Sequence, residues 1–64
     1  MQSYKDYTIA IEAPKQLADG NWQARAVIGR DGHAVHHTTG DGRSDAEARA
    51  SALAGAKQWI DRQG

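Results

Sequence analysis

Three histidines, His33, His36 and His37, are the side chains best suited to chemistry, because imidazole binds metal ions and transfers protons near neutral pH. In an extended strand His33 and His37 share a face about 13 Å apart, whereas His36 points to the opposite face. A zinc ion holds its ligands at about 2 Å, and the chain has no cysteine to complete a set. We therefore expect surface histidines, with no metal and no cofactor held by a single chain.

None of the serines has a catalytic base suggested by the sequence pattern. Ser44 is explained by helix capping, and Ser51 falls inside the helix that follows. The glycine turn at 40–42 precedes that helix as in some phosphate sites, but Asp41 and Asp45 would repel an anion. The Lys-Ser/Thr pattern of a phosphate-binding loop is also absent. We therefore expect a protein that is not an enzyme.

The helix that would position these groups begins at the run Ser44-Asp45-Ala46-Glu47, which reads as a capping box. The Ser44 side chain is expected to accept from the Glu47 backbone N–H, while the Glu47 carboxylate reaches back to the Ser44 N–H. An alanine-rich stretch then continues to about Arg62, near the end of the chain. A stripe at helical spacing should pack on the rest of the protein: Ala46, Ala50, Leu53, Ala56 and Ile60.

Segments with strand-like alternation precede the helix, at 7–12, 21–30 and 33–39. The dipeptide Asp31-Gly32 favours a tight two-residue hairpin between the second and third segments. Such a hairpin places Ile28 opposite Val35 on the core side. The sequence therefore predicts an α+β fold: a three-stranded antiparallel sheet with one C-terminal helix packed on one face (β-β-β-α). Residues 1–64 form a single domain in this prediction.

The sheet face away from the helix is one candidate binding surface. Its predicted polar residues are Thr8, Gln23, Arg25, His36 and Thr38. Such side chains can hydrogen-bond bases or phosphates, as in some β-ribbon readers of DNA. Eight basic residues are balanced by eight acidic ones, so no overall field draws the chain to nucleic acid or anionic lipid. Nucleic-acid binding through this face is therefore an alternative that we do not favour.

The flank of the helix is the other candidate surface, with interface residues Ala48, Ala52, Gly55 and Trp59. Small residues allow close approach, and a tryptophan beside them is a common interface anchor. A chain of 64 residues also has only a small core, which a second chain could complete. We expect a non-catalytic protein-interaction module that forms a homodimer through this flank or an open sheet edge. An unidentified protein partner is also possible.

Four runs carry a resemblance to a known family: Tyr7-Thr8-Ile9-Ala10-Ile11-Glu12, Asp19-Gly20-Asn21-Trp22-Gln23-Ala24, Gly40-Asp41 with Asp45-Ala46-Glu47-Ala48, and Ala56-Lys57-Gln58-Trp59-Ile60. In type and order these runs resemble the small HicB-like antitoxin domain. The resemblance implies the sheet-and-helix architecture and a non-catalytic binding role, with antitoxin as a further alternative. The chain lacks that family's Pro-Gly-Cys-like segment and a DNA-binding segment after the helix, and the resemblance transfers no functional residue.

Location is predicted from what the composition omits. The chain has no cysteine, which suits a reducing compartment. The first residues lack a basic head followed by an apolar run, and no segment approaches the roughly 20 apolar residues of a membrane span. We expect a cytoplasmic protein without membrane association.

Overall fold

A computed structural model describes residues 2–63 as one antiparallel sheet with a C-terminal helix packed against it. The elements in chain order are β1 (Gln2–Tyr4), β2 (Tyr7–Ile11), β3 (Lys15–Gln16), β4 (Trp22–Arg30), β5 (His33–Gly42) and α1 (Asp45–Gln63). The α+β class, the antiparallel sheet and the terminal helix are confirmed. The predicted number of three strands is wrong, because the sheet has five.

The sheet is organised around β4. One edge of β4 pairs with β2 and, further along, with β3, while its other edge pairs with β5. β1 pairs with the outer edge of β2. The two strands that the sequence did not predict, β1 and β3, have three and two residues. Runs so short show no alternation of apolar and polar residues, and only their pairing makes them strands.

The hairpin between β4 and β5 has the predicted turn. Asp31 and Gly32 both have positive φ, 55° and 81°, as a two-residue hairpin turn requires. Next to this turn Arg30 lies opposite His33, which is also the predicted pairing.

A β-bulge in β5 makes the rest of the predicted register wrong. Ile28 lies opposite His36 instead of Val35, and every later pair carries the same one-residue shift. The extra residue, Val35, is 48% exposed. Because side chains alternate along a strand, a one-residue shift exchanges the two faces. His36 and Thr38 therefore face the helix, whereas His37 lies on the open face.

The core between sheet and helix is small and rich in alanine. Its buried residues are Ile9, Ala24, Ala26, Ile28, Ala48, Ala52, Ala56 and Ile60. On β4, the predicted core face is confirmed. On α1, Ala56 and Ile60 are buried as predicted, but Ala46 and Ala50 are exposed and Leu53 is only partly buried. The helix is turned so that a line of residues four apart, starting at Ala48, meets the sheet.

Two glycines of β5 explain how the helix is turned. A Cβ atom on Gly40 would collide with the backbone nitrogen of Ala52, and one on Gly42 would lie 2.6 Å from the backbone nitrogen of Ala48. The helix backbone therefore rests directly on β5. Two residues of a strand advance about 6.6 Å and four residues of a helix about 6 Å, so the two elements stay in step. Thr38 continues the register, since its Oγ1 donates to the Ala52 carbonyl at 3.4 Å.

The capping box is present with one difference. The Ser44 Oγ accepts from the Glu47 backbone N–H at 3.2 Å, as predicted. The Glu47 carboxylate accepts from the Arg43 backbone N–H at 3.4 Å instead of from Ser44. Arg49 Nε also donates to Asp45 Oδ1 at 2.6 Å, one turn away on the exposed face.

Gly40→Ala should lower the free energy of unfolding by about 2–3 kcal/mol, because the helix backbone must move off β5. Urea denaturation followed by far-ultraviolet circular dichroism measures the change. Gly55→Ala is the matched control. A Cβ atom there would lie 3.5 Å from Thr38 Oγ1, an ordinary contact. Alanine is favoured over glycine in a helix by about 1 kcal/mol, so this variant should gain stability. Equal effects of the two variants would contradict the close approach.

Candidate interaction surface

The open face of the sheet retains three of its five predicted residues. Thr8, Gln23 and Arg25 lie on it, since they alternate with the core residues of β2 and β4. The prediction is wrong for His36 and Thr38, which the bulge turns to the helix side. The sequence shows no signal for this shift, because a bulge depends on pairing between two strands and not on either strand alone.

Charged groups on the open face are engaged with one another. Arg25 Nε lies 3.7 Å from the Glu12 carboxylate. Gln23 Nε2 donates to Asp41 Oδ1 at 3.3 Å. Pairing of this kind leaves little net positive potential for a phosphate backbone, which is the dominant attraction in nucleic-acid binding. The contacts therefore give the nucleic-acid alternative no particular support.

A shallow depression lies on the open face near the Asp31-Gly32 turn, with a volume of about 310 Å³. Its floor is formed by small side chains: Thr8, Ala10, Val27, Gly29 and Ala34. Charged residues of opposite sign stand at its rim: Asp6, Arg30 and Asp31. The floor offers few polar groups that could orient a small ligand, which a specific binding pocket needs.

The histidines do not come together around a metal position. The rings of His36 and His37 are 6.2 Å apart and project to opposite sides of β5. Among residues 2–63, no three histidine, aspartate or glutamate side chains form a group that could hold a metal ion.

The predicted helix flank is not a free surface. Ala48 and Ala52 are fully buried in the chain's own core, so their prediction as interface residues is wrong. Gly55 faces Thr38 of β5. The rotation of the helix on Gly40 turned this line inward, and the small side chains that suggested an interface between chains serve the packing of helix on sheet.

Trp59 packs at the edge of the same core. Its ring stacks on His36, with centroids 4.5 Å apart and an angle of 7°. Tyr7 meets it edge-on at 5.9 Å and 83°. These contacts use both the face and the edge of the aromatic system. Trp59 therefore closes one end of the domain's core.

A polar cluster that the sequence did not predict joins the first strand to the end of the helix. Tyr4 Oη donates to Asp61 Oδ1 at 2.9 Å, and Lys5 Nζ lies 2.9 Å from the same oxygen. Hydrogen bonding to Lys5 and then Tyr4 lowers the pKa of Asp61. The bond to Asp61 is the main cause that raises the pKa of Tyr4 and that of Lys5. Tyr4 and Asp61 are 57 positions apart, too far for any local pattern to show the pairing.

The strands at the edges of the sheet differ in how they are protected. β3 has two residues, begins with Lys15 and follows Pro14. β1 has three residues and is followed by Lys5, whose φ of 55° bends the chain away. Short strands, lysine and proline are the usual devices that keep an edge from pairing with another chain.

β5 has little of this protection. It has ten residues, none of them lysine or proline. Its bulge at Val35 leaves residues 36–42 in uninterrupted register with β4. Within the part of the chain that the structure describes, no strand pairs with the outer edge of β5. We define this segment of β5, residues 36–42, as the open edge.

Comparison with known proteins adds no identity: no family model, no curated protein and no solved structure matches the chain. The HicB-like resemblance therefore stays a prediction from the residues quoted above. Across residues 2–63, the helix is not long and apolar enough to cross a membrane.

Asp61→Asn should flatten the acid part of the stability profile. The pKa of Asp61 is lowered in the folded protein, so its contribution is present above the unfolded pKa and is lost as pH falls through the folded pKa. The free energy of unfolding between about pH 5 and pH 2 should fall less steeply in the variant. Tyr4→Phe, which removes one of the two partners, should give an intermediate slope. Parallel profiles for all three proteins would contradict this role of the cluster.

Trp59→Ala should lower the free energy of unfolding by about 3 kcal/mol, because it removes the ring that both Tyr7 and His36 contact. His36→Ala removes a single stacking partner and should lower it by about 1 kcal/mol. Both variants should keep the sedimentation mass of the unmodified chain. A Trp59→Ala variant with full stability but a smaller mass would return Trp59 to the interface.

Proposed function

We propose that this chain is a non-catalytic protein-interaction module that self-associates through the open edge of β5. The observation that carries the proposal is the unequal protection of the sheet edges. Lysine, proline or short length guards β1 and β3, whereas residues 36–42 are unguarded.

Backbone groups explain why an unguarded edge favours association. An edge strand presents a row of N–H and C=O groups that can continue the ladder with another strand. Addition of a strand to an exposed edge is a common mode of protein recognition, in which main-chain hydrogen bonds supply the affinity. The open edge offers this row over a straight segment, and β4 holds that segment in place on its other side.

The composition of the core gives the chain a reason to associate. Its three largest fully buried side chains are Ile9, Ile28 and Ile60, and most of the others are alanines. A chain of this size buries a smaller share of its surface than a larger domain does, so its stability is marginal. Continuation of the sheet into a second copy adds hydrogen bonds and covers apolar surface at the edge of the core.

A second copy is the partner that the charge balance favours. The net charge is zero, so two copies approach one another without long-range repulsion. The remaining alternatives are nucleic-acid binding through Thr8, Gln23 and Arg25, and an antitoxin role in which a different protein occupies the edge. A cytoplasmic location, expected from the absence of cysteine, is part of the same proposal.

The double substitution His37→Lys with Thr39→Lys should convert the protein to a monomer, because lysines on an edge strand oppose pairing. Sedimentation equilibrium over a wide concentration range measures the mass. Ser3→Lys on β1, at the opposite edge of the sheet, is the matched control and should leave the mass of a dimer.

Salt concentration separates this proposal from nucleic-acid binding. The dimer of the unmodified chain should persist in high salt, because backbone hydrogen bonds and apolar contacts are weakly screened. Binding of DNA or RNA would weaken steeply under the same change. A monomer at every concentration and salt level would refute self-association.

A further inference from the structure

We propose that two copies pair β5 with β5 in antiparallel orientation, with a two-fold axis through Thr39. The result is one continuous sheet that carries both helices on the same side. This inference rests on the proposed self-association and adds the register and the residues that meet.

The length of the open edge determines where the axis lies. The bulge at Val35 ends the straight segment on one side and the end of β5 at Gly42 limits it on the other. Residues 36–42 are symmetric about Thr39, so an axis there pairs the whole segment with its copy. A shift of the axis in either direction leaves residues unpaired or brings the bulge into the ladder.

Charge complementarity favours the same register. An axis through Thr39 places His37 opposite Asp41 of the second copy, and symmetry repeats this pair. Both side chains lie on the open face, because each alternates with the helix-side residues Thr38 and Gly40. An axis through Asp41 would instead oppose two carboxylates, and one through His37 would oppose two imidazoles, both less favourable arrangements across strands.

The helix leaves room for its copy. α1 lies along β5, and the residues above Gly40 and Thr38 are Ser51 and Gly55. Neighbouring strands are about 4.8 Å apart, while two packed helices need about 8–10 Å between their axes. Each helix also packs over β4, which sets its axis back from the edge. Small side chains at this level allow the two antiparallel helices to lie side by side.

The absence of cysteine from the chain makes a direct test of the register possible. Thr39→Cys places one thiol on the axis, where cross-strand Cβ atoms are about 4.5–5.5 Å apart, close enough for a disulfide. Under mild oxidation this variant should become a covalent dimer on a non-reducing gel. His37→Cys is the matched control on the same face, because its copy lies about 13 Å away along the strand.

Mixed samples extend the test. His37→Cys and Asp41→Cys should each stay monomeric on the gel, whereas a mixture of the two should form a covalent heterodimer. A second arm exchanges the charges: Asp41→Lys should weaken dimerisation by about tenfold, and His37→Glu combined with Asp41→Lys should restore it. Restoration cannot come from Gln23, which loses its bond to Asp41 in both variants.

Each outcome bears on a different claim. Crosslinking of Thr39→Cys and of the mixture, but of neither control alone, supports the register. Strongest crosslinking at His37 or Asp41 alone, with a dimer in sedimentation, overturns the register and leaves self-association standing. No crosslinking at any position, together with a monomer in sedimentation, overturns both.

Discussion

The direct contact between the backbone of α1 and the backbone of β5 is the constraint on which the rest of this structure depends. Gly40 and Gly42 have no side chains to hold the helix away, so the helix backbone settles onto the strand. A gap this narrow admits only small residues from the helix, and Ala48 and Ala52 are the ones that enter it. The alanine content of the helix is therefore a requirement of the packing as well as a helix-forming preference.

Side chains grow along the same contact toward the other end of the helix. β5 presents two glycines, then Thr38 and His36, while α1 presents alanines, then Gly55 and Trp59. Larger groups at one end mean that helix and sheet enclose a wedge, and aromatic rings fill its wide side. Asp61 holds that side to β1 through Tyr4 and Lys5. A core with little aliphatic volume is thus closed by glycines at one end and by aromatic and polar contacts at the other.

Features that depend on neighbouring residues were predicted from the sequence. Ser44 caps the helix, Asp31-Gly32 forms the hairpin turn, and β4 buries the expected face, because each depends on local preference or alternation. Features that depend on distant pairing were not predicted. The bulge beside Val35, the short strands and the rotation of α1 are determined by contacts between elements. The same division runs through the candidate surface: Thr8, Gln23 and Arg25 precede the bulge in the chain and were placed correctly, whereas His36 and Thr38 follow it and were not.

The unequal edges of the sheet also decide how far an assembly of this chain can grow. Pairing of β5 with its own copy uses the same surface on both partners, which is an isologous contact, and leaves neither open edge free. The strands left outside are β1 and β3, which are short and carry the edge-blocking residues among those described. A heterologous contact between β5 and the far edge would repeat without limit and give a filament. Guarding one edge while leaving the other able to pair only with itself restricts this sheet to a finite, closed particle.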